Sequence, residues 1–596
     1  MKNKNVLPDW VEQLREEISK KIVENNIPGA SCAIINADGV IWSEGFGKTK
    51  IKEGKPVSEN TLFGLASLSK GLTATATLIG VQKGYFKLDD PVRKYIPDFT
   101  VKSRFGDEIL DKITLRQLLY HWSGLGHGFK GCDEYKDPMH PTQEFIKSLK
   151  DSRLKYIPDT RFSYSNIGLE VLAAVIERTT GKKFNQYMHD ELYNPLGMIN
   201  TVVGPIDEKL KNNLSYGHVG DNILEKDVNP YLASAEQYST ANDMAKFIEF
   251  HLKRGNNILK EELLDLMGEL YKPYEGQRNG YGMGFGINKR FYGGITYYSF
   301  IGDGNGYCSY YAWIPEYQVG MIILFNQISD SINLIRNLGT LLISNAIKNK
   351  LGKVPESIEI SYTIPDELKS LKKATKDQIA LFQGIYFDRM ISIEMKMEEK
   401  GLSFQYLGEK IDLEPISDKI FTSPSAPRVE FVFSGDKVSH VIILSKYGHV
   451  EVLDYDSGPM DKIGPNHQHW KDLYGIYRLE YGGNYYFVCL TSENGYLSYI
   501  TIFNQKYRII EELDDVYYLA DGRYIEKIDG GLIIDGTLAK YFNKTALDLQ
   551  NLKNEDPNNI LLTKTSLKNF ITVLDGLKRE EDKIICQELY DTLYAK

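Results

Sequence analysis

From Gly71 to Gly80 the chain reads Gly-Leu-Thr-Ala-Thr-Ala-Thr-Leu-Ile-Gly, ten residues without a charge, and the residue just before them is Lys70. A helix of this composition has no face suited to water, so it belongs inside the protein and takes its first-turn lysine in with it. Ser67 stands three residues before Lys70. Residues i and i+3 of a helix share a face, with β-carbons roughly 5–6 Å apart. The hydroxyl and the amine are therefore expected as neighbours in dry surroundings. A serine hydroxyl attacks a carbonyl only when a base takes its proton, and a lysine becomes that base when burial or nearby positive charge lowers its pKa.

The spacing alone is not distinctive, because Ser-x-x-Lys recurs at Ser152–Lys155, Ser370–Lys373 and Ser434–Lys437. The first two fall in strongly charged stretches and the third reads as a turn between strands. Only Ser67 has Phe63-Gly-Leu-Ala66 before it and an apolar helix behind it. Taken singly, Ser67 also fits a helix cap.

Around this segment the pattern predicts an α/β unit. Trp10, Leu14, Ile18 and Ile22 recur at spacings of four in a helix over 9–26. Strands 30–35 and 40–46 follow, joined by the Ala37-Asp38-Gly39 turn. Helical patterns dominate 110–255, strand patterns return at 295–300, 307–314 and 319–325, and a helix spans Ser331 to about Leu351. Strands at both ends of a helical insert imply one antiparallel sheet flanked by helices. This catalytic domain is placed at 1–352. A linker helix segment is placed at 353–378, with a short helix expected from Pro365 to Leu381, and alternating β pattern follows. Phe382-Gln-Gly384-Ile-Tyr386 recurs as Leu473-Tyr-Gly475-Ile-Tyr477, and Lys400-Gly401-Leu402 recurs as Asn494-Gly495-Tyr496. The repeat predicts two lipocalin-like β-barrel modules, 379–462 and 463–546, or one barrel spanning both. A helical tail, 547–596, carries Leu567, Phe570, Ile571, Leu574 and Leu577 at helical spacing, a stripe for packing on the body or for a homo-oligomer contact.

Apolar residues at 42% and charged residues at 25% are those of a soluble globular chain. A net charge of −9 with no basic stripe argues against nucleic acid as partner. No run approaches the ~20 apolar residues of a membrane helix, and the first ten residues lack a signal core. A cytoplasmic location without a membrane partner is the expectation. Cys32, Cys132, Cys308, Cys489 and Cys586 are odd in number with no Cys-x-x-Cys, which predicts reduced thiols. His467-Gln-His469-Trp470 lacks further ligands for zinc. The Gly124–His140 loop, with His127, Cys132, Asp133 and His140, is expected to border the pocket. No metal and no cofactor is expected.

A second element of chemistry is Tyr164-Ser-Asn166 ahead of a helix over 169–179. A buried tyrosine beside an ammonium group can act as a base, and an asparagine offers both a donor and an acceptor to an amide. The pattern also occurs at Tyr541-Phe-Asn543, which has no such context.

Together, Phe63–Lys70, the segment from Thr114 through His121-Trp-Ser123-Gly124-Leu125, and Tyr164-Ser-Asn166 resemble the class C serine β-lactamase-like group, with its DD-peptidases, family VIII esterases and D-aminopeptidases. Gly84–Asp90-Pro91, Asn194–Met198, Ser239–Asp243 and Tyr281–Phe285 add to the likeness, which spans roughly 10–350. The resemblance implies Ser67 as acylating nucleophile, Lys70 as its activating amine and Tyr164 as the base that shuttles protons. It further implies Asn166 as holder of the substrate amide and His121 as structural. The third motif of that group, a basic residue followed one position later by Gly, departs here: Phe300 stands in the basic position, ahead of Gly302 and Asp303. The Asp303 N–H is still expected to pair with that of Ser67 as an oxyanion hole, while recognition of a substrate carboxylate, which needs a cation, is lost. The expectation is a serine hydrolase of small peptides or peptide amides, with D-residues among its substrates as the resemblance to D-aminopeptidases implies. Carboxylesterase and penicillin-binding-type thioesterase are the enzymatic alternatives, and a non-catalytic binding or sensor protein is the alternative of another class.

Overall fold

The computed structural model describes residues 9–128, 142–328 apart from 221 and 225–229, and 331–457 apart from short gaps. It also describes the strands between 475 and 541 and isolated positions near the C-terminus. Cys132, Asp133, His140, His467, His469, Trp470 and the stripe from Leu567 to Leu577 lie outside the described residues. The chain divides into two compact units, 1–271 with 281–357, and 272–280 with 358–596.

The first unit is built on a seven-stranded sheet. Its strands in chain order are β1 (Gly29–Asn36), β2 (Gly39–Gly47), β3 (Asn279–Tyr281), β4 (Gly286–Asn288), β5 (Tyr297–Gly304), β6 (Tyr307–Ile314) and β7 (Val319–Phe325). Their spatial order is β2-β1-β7-β6-β5-β4-β3. The N-terminal hairpin thus docks on the last strand, antiparallel, with Ala30 opposite Phe325 and Asn36 opposite Val319. The central strands are buried on both faces, so their side chains alternate between two cores. Ala33, Ile35, Ile322, Leu324, Tyr311 and Trp313 enter one core. Cys32, Ile34, Met321, Ile323, Tyr310 and Ala312 enter the other.

Helices α1 (Asp9–Glu24), α2 (Ser69–Gln82), α3 (Asn166–Thr180), α4 (Ala241–Leu252) and α5 (Ser331–Leu351) cover these faces. The apolar stripes of α1 (Leu14, Ile18, Ile22) and α5 (Ile335, Leu342, Ile343) close one side. α2, α3 and α4 build the other, larger core. Every residue of α2 from Ser69 to Gly80 is buried, as its uncharged sequence requires. No described helix is long and apolar enough to cross a membrane.

In the second unit two eight-stranded antiparallel sheets each close into a barrel. The first runs from Gly384–Phe387 to Val450–Ser457, which pair with each other. The second runs from Gly475–Tyr481 to Thr537–Tyr541, likewise paired. The recurring Gly-Ile-Tyr, at Gly384 and at Gly475, opens the first strand of each barrel. Ahead of them the expected single helix from Pro365 to Leu381 is instead two, Asp366–Lys369 and Lys376–Ala380. Thr375 accepts from the Gln378 N–H while the Gln378 side chain accepts from the Thr375 N–H. This capping box starts a new helix inside the stretch expected to form one.

Candidate active site

Ser67 sits in a 3₁₀ turn, Ala66–Leu68, that feeds directly into α2. Ala66 is held at φ +46°, in the left-handed region that costs a residue with a β-carbon about 1–2 kcal/mol. The turn is fixed from outside by the Leu65 N–H, which donates to Gln237 O at 2.8 Å. From Thr61 to Gly80 every residue is buried except Ser67, which keeps partial exposure. Ser67 is therefore the one residue of this stretch that is not closed off.

That hydroxyl has two neighbours. Lys70 Nζ lies 3.0 Å from Ser67 Oγ, and Tyr164 OH lies 3.0 Å from the same atom. Lys70 Nζ also stands over the Tyr164 ring, 4.8 Å from its centroid, and donates to Ser234 O at 3.0 Å. The lysine is wholly buried. Burial lowers its pKa to about 7, against the opposing charge of Glu170. Burial thus favours the free amine, the form able to accept the Ser67 proton.

The segment carrying Tyr164 is gripped by the loop that follows His121. The Ser163 N–H donates to His121 O at 2.6 Å, and the Asn166 N–H donates to His127 O at 3.2 Å. Ser163 Oγ donates to Leu125 O at 3.0 Å and Ser165 Oγ to Gly126 O at 2.6 Å. His121 is itself at φ +60°, and its Nδ1 accepts from the Ser165 N–H at 3.2 Å. A neutral ring that accepts at Nδ1 carries its proton on Nε2. Burial, and after it the charge of Lys70, hold His121 well below the usual histidine range. Its ring packs 4.6 Å from that of Tyr164. Asn166 is buried beside His127, with its Nδ2 3.4 Å from His127 Nε2.

On the opposite side runs β5. Its pairing with β4 ends at Ser299 opposite Gly286, and the strand continues past the Ser67 turn. A β-carbon on Gly302 would fall 2.2 Å from Leu65 O and 2.9 Å from Ser67 N, so only glycine allows this approach. Phe300 is half-buried among aromatic rings, 6.3 Å from Tyr164 and 5.4 Å from Tyr281 between centroids. Phe162, 45% exposed, lies 5.7 Å from Tyr281 and completes an aromatic rim. Asp303 is exposed beyond Gly302. The structure thus gathers Ser67, Lys70, Tyr164, Asn166, Phe300 and Gly302 into one region, with Asp303 on the strand that borders it.

Two features of the site escaped the sequence reading. Ser234 contributes a backbone carbonyl, which leaves no mark in a sequence. Glu170, whose carboxylate reaches that same turn, did leave one: it is the only charge between Ile167 and Ile176.

The family model described as Beta-lactamase matches residues 8–332, more than half of the chain. Protein flp of Staphylococcus aureus (strain MW2) is 24% identical over 345 residues, covering 56% of this chain and 67% of that protein. Penicillin-binding protein 4 of Amycolatopsis lactamdurans is 25% identical over 323 residues, 51% of this chain and 82% of that protein. Among solved structures, the octameric penicillin-binding protein homologue from Pyrococcus abyssi aligns with a TM-score of 0.46 and 22% identity, over 74% of this chain and 98% of that one. With the family model spanning the unit in which Ser67 lies, the chain belongs to the beta-lactamase family and is a serine hydrolase of amide or ester substrates.

Proposed function

We propose that the enzyme cleaves small peptide amides through an acyl-enzyme on Ser67, and that its substrates carry no carboxylate next to the scissile bond. The observation that carries this reading is the pair of 3.0 Å contacts from Lys70 Nζ and Tyr164 OH to one partly exposed hydroxyl. Lys70 as free amine takes the Ser67 proton while Oγ bonds to the substrate carbonyl carbon. The carbonyl oxygen becomes an oxyanion facing the N–H groups of Ser67 and Asp303. As the C–N bond breaks, Tyr164 delivers a proton to the departing amine and recovers one from the Lys70 ammonium. Water then attacks the ester carbonyl while Tyr164 takes its proton and passes its own to the Lys70 amine; as the intermediate collapses and releases the acid, the Lys70 ammonium returns that proton to Ser67 Oγ. Asn166 is the group placed to hold the acyl-side amide.

The missing carboxylate rests on Phe300. Where a cation would pair with an anionic substrate, this site has a ring among rings. Asp303 at the exposed end of the strand suits a free amine on the substrate. The same aromatic rim favours carboxylesterase activity as a second reading, since an ester asks less of the leaving-group proton.

The test is mass spectrometry after incubation with a fluorophosphonate, together with a screen of D- and L-amino-acid p-nitroanilides beside short-chain p-nitrophenyl esters. An adduct on Ser67, absent in Ser67→Ala, with turnover of the anilides supports the peptidase reading. Turnover of esters alone moves the assignment to esterase, and no adduct with no turnover ends both.

A further inference from the structure

Glu170 is a carboxylate sealed inside an apolar helix, 3% exposed. It accepts from the Ala233 N–H at 3.1 and 3.0 Å, from the Ser234 N–H at 2.8 Å and from Ser234 Oγ at 2.8 Å. Ser234 in turn offers its carbonyl to Lys70 Nζ at 3.0 Å. One residue therefore bridges a buried acid on α3 to a buried amine on α2. The turn is tied to α2 a second time, through Thr73 Oγ1, which donates to Ala233 O at 2.6 Å.

Backbone N–H groups need an acceptor, and a neutral amide oxygen would serve. Burial favours the protonated acid and raises the Glu170 carboxyl to about 7, while the Ala233 and Ser234 donors and the charge of Lys70 pull it back toward the carboxylate, so acid and amine share their charge as a pair. The other groups that face Lys70 bring no opposing charge. Tyr164, from the segment before α3, brings its ring. His121, from the loop after the helix Leu115–Leu119, is neutral, being held far below its usual range. Glu170 supplies the negative charge that acts on Lys70.

We propose that Glu170 is a positioning residue: its carboxylate locks the Ala233–Ser234 turn against Lys70 and supplies the counter-charge under which the amine gains and loses its proton. This rests on the reading of Lys70 as the base for Ser67. Burial favours the free amine and Glu170 opposes it, so removing the negative charge leaves burial unopposed. The amine then persists to lower pH.

The experiment is the pH dependence of kcat/KM for a neutral p-nitrophenyl ester in wild type, Glu170→Gln and Glu170→Asp, with thermal melts confirming the fold of each. Glu170→Gln keeps an acceptor for the turn and removes the charge, so its acid limb is expected to move down by roughly one pH unit. Glu170→Asp keeps the charge but withdraws it by one methylene, so its limb is expected to move the same way by less. It carries the test alone if the glutamine variant does not fold. An acid limb unmoved in a folded variant, whatever the loss in kcat, assigns Glu170 a merely structural role and overturns the proposal. A wild-type profile with no acid limb removes Lys70 as the base, and this inference with it, whereas loss of the Ser67 adduct is a failure of the nucleophile assignment.

Discussion

Gly302→Ala tests the site where its geometry is tightest. The added β-carbon would meet Leu65 O at 2.2 Å, Ser309 Oγ at 2.6 Å and Ser67 N at 2.9 Å, whereas ordinary contacts begin at 3.4 Å. Ser309 Oγ can turn aside, but Leu65 O is backbone in the turn that sets Ser67. Either that turn or β5 must retreat by about 1 Å to restore normal contact with Leu65 O. A misplacement of that size costs on the order of 10² in rate. Losing one oxyanion donor outright costs ~10²–10³. The expected outcome is a fall in kcat of about 10²-fold or more, with overpacking lowering stability by ~1–3 kcal/mol. Ester turnover and the rate of fluorophosphonate labelling, read beside a thermal melt, separate the two effects. A folded Gly302→Ala enzyme with kcat within a factor of three of wild type would refute the claim that the approach of β5 to Ser67 matters for the chemistry.

Three further outcomes are expected of the same site and its unit. Because burial lowers Lys70 to about 7 and the reaction uses its free amine, kcat/KM should rise with pH and reach half its plateau near pH 7. A half-maximum near pH 10 would mean that the lysine is not desolvated. Phe300→Lys should raise acylation by benzylpenicillin, which bears a carboxylate, at least tenfold over wild type in a gel-shift or mass assay, while turnover of neutral esters falls. Asn326 is buried, accepts from the Gly29 N–H at 2.6 Å and donates to Lys48 O at 3.0 Å and Ser215 Oγ at 2.9 Å. Asn326→Ala should therefore destabilise the first unit by at least ~2 kcal/mol in urea unfolding, each orphaned buried group costing ~1–3 kcal/mol.

What could be read from the chain alone was whatever is written in short range. Ser67 and Lys70 are three residues apart, Tyr164 and Asn166 two, and the uncharged run after Lys70 announced burial. The sheet followed from the apolar strand runs at 307–314 and 319–325, and the paired barrels from a repeated Gly-Ile-Tyr. The linker is two helices where one was expected, because the Thr375–Gln378 box starts a second helix by capping, with neither glycine nor proline to mark the break. Glu170 was missed for another reason. Its partners stand 63 and 64 residues away and are backbone N–H groups for the most part, so the lone acid in an apolar helix had no visible counterpart. The left-handed turn at His121 was equally silent, since a histidine gives no sign of positive φ.

The place of β1 in the sheet has a consequence for biogenesis. Gly29 meets its partner Asn326 across a separation of 297 residues. At roughly 5–20 residues per second on the ribosome, a quarter of a minute to a minute passes before the hairpin's docking edge has been synthesised. During that interval Ile34, Ile35 and their neighbours have no sheet to join, and pairings of such long sequence separation are slow to find even afterwards. The turn bearing Ser67, and α2 behind it, are complete long before β5 exists to meet them.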